Sequence, residues 1–132
     1  MEKLVKIGEY KDYRYYIIER GFCNTIYYCG YVAIDEDNYF FNKSVKKIEK
    51  LNVYGGVTFQ GEGTKIKLPL EKFIIGFDTL HGMHEVFEKN KMKELEITED
   101  ECKNLIHQIN LKNTILKEIR KEKERNGRIK RN

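Results

Sequence analysis

Residues able to do chemistry crowd into one stretch, residues 53–85. Asp78, His81, His84 and Glu85 bring two carboxylates and two imidazoles within eight positions. Just upstream lie Gly55, Gly56, Thr58 and Gly76. Glycine inside a strand marks a bulge or a place where something approaches the backbone closely. Three kinds of chemistry fit this set. The first is a metal site: His81 and Glu85 are four apart and share a helix face, with Asp78 and His84 beside them. The second is acid–base work, with Asp78 orienting His81 and Thr58 or Cys29 as nucleophile. The third is capture of a phosphate-bearing ligand, with glycines exposing backbone N–H groups and a helix N-terminus beyond Asp78 favouring an anion.

Each has a plainer competitor. Asp78 can serve as an N-cap. His84 falls on an apolar stripe with Leu80 and Phe87, and His81 with Glu85 can be a surface pair. Tyr27, Tyr31, Tyr54 and Phe59 can stack on a base or simply fill a core. The Asp78 charge repels phosphate and suits a ribose hydroxyl better. No Walker or dinucleotide fingerprint is present. The set therefore reads as a ligand pocket of Tyr31, Tyr54, Gly55, Gly56, Thr58, Gly76, Asp78 and His81. No catalytic residue and no cofactor is assigned, and Asp78, His81, His84 and Glu85 remain only weak metal candidates.

Elements must place these residues. Residues 4–7 read as a short strand ended by Gly8. Residues 13–19, rich in aromatic and β-branched types, read as a stronger strand. A turn at Gly21 and Asn24 leads to a strand over 25–34, making an antiparallel hairpin. Both faces of that second strand are apolar, so it belongs at the centre of a sheet. Residues 45–51 read as a short helix capped by Ser44. Residues 53–60 and 73–78 are the glycine-bearing strands, with a polar edge segment between them ending at Pro69. If Tyr54, Gly56 and Thr58 face the same way as Ile74, Gly76 and Asp78, the glycines leave a trough. Residues 79–89 have helical spacing. Thr98 to Glu101 form a capping box opening a C-terminal helix. Its apolar residues are Cys102, Leu105, Ile106, Ile109, Leu116 and Ile119, and Gly127 ends it.

Composition sets the class. The chain has 132 residues, 40% hydrophobic and 35% charged, which fits one globular domain with a modest core. Its sheet body covers about 1–97, its helix about 98–125, and a basic tail follows. From Lys117 onward eight Lys and Arg face three Glu, so of the net +4 the tail holds +5 and the rest −1. Interleaved Glu122 and Glu124, and the lack of an aromatic in the tail, disfavour nucleic acid as a partner. The three cysteines fit no disulfide framework or zinc spacing, and Cys29 and Cys102 read as small buried hydrophobes. No apolar run reaches the ~20 residues of a membrane span, and no signal-peptide core is seen, so the cytoplasm is the expected setting.

The order Cys29-Gly30-Tyr31-Val32, then Gly55-Gly56-Val57-Thr58-Phe59 with Gly61, then Gly76-Phe77-Asp78 and His81, resembles a family of small phage-encoded proteins. That family carries Cys-Gly-Tyr-Val, His-Gly-Gly-Leu-Thr and Gly-Phe-Asp-x-x-His motifs. The resemblance covers roughly residues 29–109. Tyr54 stands where the family has His, and His84 where it has Asp. A catalytic device needing both groups would be broken, while a pocket would survive. The resemblance implies a phage or prophage product acting in the host bacterial cytoplasm.

The expected fold is α+β: an antiparallel or mixed sheet of about five strands with a long C-terminal helix on one face. The expected function is counter-defence, by binding and sequestering a small nucleotide-derived host signal, with no turnover. The alternatives are an inhibitor that binds a host defence protein by its surface, and a small metal-dependent phosphoesterase. A homo-oligomer, in which basic residues line a neighbour's pocket, is compatible with the first.

Overall fold

The computed structural model of the chain describes residues 2–22, 24–43, 50–53, 55–79 and 91–130. The expected helices over 45–51 and 79–89 fall wholly or largely outside them. So do Cys23, Tyr54, His81, His84 and Glu85.

The architecture is α+β. Five strands form one antiparallel sheet: β1 (Glu2–Tyr10), β2 (Tyr13–Phe22), β3 (Thr25–Ala33), β4 (Phe59–Gly61) and β5 (Ile74–Asp78), in the order β1-β2-β3-β5-β4. A long α-helix, α1 (Lys91–Lys130), packs on one face. The hairpin of β2 and β3 forms as its alternation implies, and β3 takes the centre of the sheet. Strand β1 is longer than expected. It joins β2 through Lys11 and Asp12, with φ of 51° and 67°, the positive pair that suits a two-residue hairpin turn. Gly8 does not end β1. The Tyr15 ring lies over it, where an added Cβ would collide, so this glycine makes room for a neighbour.

The helix-side core joins Ile17, Val32, Ile75 and Phe77 of the sheet to Cys102, Leu105, Ile106 and Ile109 of α1. Gly30 lets the layers meet: a Cβ there would lie 2.5 Å from the Phe77 ring and 2.7 Å from Cys102 Sγ. The capping box at Thr98 does not open the helix, which is already under way at Lys91. Thr98 is fully buried and its hydroxyl donates to the Glu94 carbonyl at 2.7 Å. Burial of Glu94 and Thr98, with Leu95 packed on the core, carries the helix upstream past the local capping signal. Gly127 does not end it either. Ile119, the last of the helix's apolar series, is 46% exposed, and Leu111 and Ile115 are exposed with it.

On the other sheet face the segment after β4 is not an edge strand. It forms a short 3₁₀ helix (Gly63–Ile66) and a turn, tied by Gly63 N–H to the Glu71 carbonyl at 2.9 Å. Ile66 and Leu68 from this segment pack over Ile18, Cys29, Tyr31 and Ile74.

Candidate functional site

Cross-strand partners in a sheet present side chains to the same face. The register pairs Tyr31 with Gly76, Gly76 with Phe59, Cys29 with Asp78, and Arg20 with Tyr27. These residues therefore share the face away from α1. The structure brings Tyr31, Gly76 and Asp78 together there.

The glycine trough does not form. The Tyr31 ring occupies the space an added Cβ at Gly76 would need, and the ring meets Phe59 edge-on with centroids 5.9 Å apart. Tyr31 is only 5% exposed, so its ring has no free face for a base. Gly55 and Gly56 are not in a strand. They have φ of 73° and 80° in a turn closed by Gly56 N–H on the Val53 carbonyl at 2.9 Å. The Thr58 N–H donates to the Gly76 carbonyl at 2.9 Å. Thus the amides of Gly56 and Thr58 serve the fold and do not make a ligand floor. The physical reason is register: Phe59, not Gly56, lies opposite Gly76.

A polar cluster borders this filled centre. Arg20 Nη2 donates to the Tyr31 hydroxyl at 3.1 Å, and Nη1 donates to the Glu2 carboxylate. The Arg20 side chain is 18% exposed, and its Nε is buried with no hydrogen-bond partner among the described residues. Guanidinium stays charged at any relevant pH, so this is a fixed cation half sunk among tyrosines. Lys67 Nζ lies 3.4 Å from the second oxygen of Glu2. Burial pushes the Tyr31 hydroxyl far above its ordinary range, with the neighbouring Cys29 adding to it, and burial also raises Tyr27. Burial raises the Cys29 thiol, with Tyr31 and Arg20 pulling the other way. Cys29 thus stays a thiol at neutral pH and makes a poor nucleophile. Asp78, half-buried at the end of β5, lies beside the cluster.

At the other end of the same face Arg14 grips Glu71. Nε and Nη2 each donate at 2.9 Å to a different carboxylate oxygen, and the Tyr16 hydroxyl donates at 2.5 Å. Glu71 is 6% exposed, and Arg14 holds its carboxyl below the ordinary carboxylate range against the opposing effect of burial. An open cavity of about 490 Å³ adjoins this pair, lined also by Asp35, Glu36, Asp37 and Lys72.

Arg14, Arg20 and Glu71 were missed in the sequence. A signal existed: positions 14, 16, 18 and 20 share one strand face, so two arginines bracket an aromatic and an isoleucine on a face that must be covered. Of the weak metal candidates only Asp78 is described. Among the described residues no group of three or more His, Cys, Asp or Glu could hold a metal ion. Among them, too, no helix is long and apolar enough to cross a membrane. Comparison with protein-family models, with curated proteins and with solved structures gives no match for this chain.

Proposed function

We propose that this protein binds a small, phosphate-bearing, nucleotide-derived ligand and holds it without turnover. The observation that carries the reading is Arg20: a mostly buried cation against the Tyr31 hydroxyl, with its Nε lacking a partner. A cation so placed suits an anion, because partial burial strengthens the attraction. Tyr27 supplies a half-buried ring face, Asp78 a carboxylate for a ribose hydroxyl, and Tyr31 its hydroxyl alone. The raised Cys29 thiol favours holding over covalent catalysis. Resemblance to small phage-encoded proteins supports the setting: sequestration of a host immune signal in the bacterial cytoplasm. Calorimetric titration with cyclic nucleotides and ADP-ribose derivatives tests this. Binding with the ligand recovered intact supports it. Recovery of cleaved ligand points instead to a phosphoesterase, and absence of binding removes the reading.

One observation favours a second reading, inhibition of a host defence protein by surface contact. Leu111, Ile115 and Ile119 recur every four residues along α1 and are each about half exposed. Such a stripe suits a partner surface. Retention of a host protein by the wild type, lost with Ile115→Lys, supports it.

A further inference from the structure

Three charges meet at the Arg20 end of the second face, each from a separate piece of chain. Arg20 comes from β2, Glu2 from β1, and Lys67 from the turn that closes the 3₁₀ helix. The two cations take different oxygens of one carboxylate. Lys67 has φ of 62°, a left-handed conformation that non-glycine residues adopt rarely. Its N–H caps the 3₁₀ helix on the Gly63 and Thr64 carbonyls, so the backbone itself holds the lysine at this spot.

Glu2 matches this site poorly for a resident partner. The Lys67 side chain is 84% exposed and that of Glu2 38%, so water competes for their contact. Glu2 takes one donor of Arg20, the Tyr31 hydroxyl takes another, and Nε is left over. A terminal phosphate carries up to two charges and three acceptor oxygens, and an internal diphosphate one charge on each phosphate. Either can engage both cations at once.

We propose that Arg20 and Lys67 form the phosphate subsite of the ligand site, and that Glu2 fills it in the free protein and is displaced on binding. The inference rests on the binding reading given above. Glu2 then acts as an internal competitor. It lowers affinity for every ligand and screens out singly charged carboxylates, which cannot outbid it. Arg20 sets the site and Lys67 adds to it from the rim.

The test titrates inorganic pyrophosphate and ADP-ribose into the wild type, Glu2→Gln, Glu2→Ala, Arg20→Met and Lys67→Ala proteins by calorimetry. Circular dichroism establishes that each is folded. Both Glu2 variants should bind pyrophosphate about tenfold more tightly than the wild type, Lys67→Ala several-fold more weakly, and Arg20→Met not measurably. If the wild type binds ADP-ribose in an Arg20-dependent way but neither Glu2 variant gains affinity, the displacement account is overturned and the binding reading stands. If neither the wild type nor the Glu2 variants bind either probe, both fall.

Discussion

The two faces of the sheet are built on opposite principles. Toward α1, Ile17, Val32, Ile75 and Phe77 meet Leu105, Ile106 and Ile109, all fully buried and all apolar. On the other face a small apolar centre of Ile18, Cys29, Tyr31, Ile66 and Ile74 is flanked by ionic groups: Arg14 with Glu71 at one end, Arg20 with Glu2 and Lys67 at the other. Burial of apolar area contributes about 1.5–3 kcal/mol for each large side chain, while an exposed pair such as Glu2 with Lys67 contributes about 0–1. The helix face therefore supplies most of the stability. The Glu2 end of the second face can exchange partners at low cost, which is the property the proposed ligand site needs.

That comparison breaks first at the cores. Leu105→Ala should lower stability by about 2–5 kcal/mol, read by denaturant unfolding, because it leaves a cavity in a closed layer. Ile66→Ala, on the loop that covers the second face, should cost clearly less. Equal or reversed losses would end the contrast. Gly30→Ala should come next, at about 1–3 kcal/mol, since the new methyl meets Phe77 and Cys102 and the layers must part.

The ionic flank has a pH signature. Glu71 is held below the ordinary carboxylate range by Arg14, so the folded state binds its proton more weakly than the unfolded chain. Its contribution is complete above the unfolded value of about 4.3 and is lost as pH falls through the lower folded value. Glu71→Gln should cost about 1–3 kcal/mol at pH 7, reduced by the half exposure of Arg14. It should also flatten the acid limb of a stability–pH profile. An unchanged limb would show that the pair contributes nothing.

The smallest expected effect concerns the helix end. Gly127 lies inside α1 with open space around it, so Gly127→Ala should stabilise by about 0.5–1 kcal/mol, read as added helical ellipticity. A loss would mean that glycine ends the helix after all.

Much of the fold was legible because its signals are local or periodic. The two apolar faces of β3 gave its central place, and aromatic and β-branched runs gave the hairpin. The failures share one cause, contacts between distant parts of the chain. Gly8 is a packing glycine because of Tyr15 across the hairpin. Thr98 looks like a cap until Glu94 and Thr98 are seen buried. The trough needed Gly56 opposite Gly76, and a nonlocal pairing put Phe59 there. Of the expected site, Tyr31, Gly76 and Asp78 do share a face. Arg20 was overlooked because its meaning depends on Tyr31, which no short motif links to it.

The central claim is that the Arg20 end of the second face holds a phosphate-bearing ligand. It is tested most directly by calorimetric titration of ADP-ribose derivatives and cyclic nucleotides into the wild type and Arg20→Met, with unfolding curves measured alongside. The account predicts binding by the wild type, loss of at least tenfold in Arg20→Met, and cooperative unfolding of both proteins. Equal binding by both proteins, or none by the wild type, would contradict it.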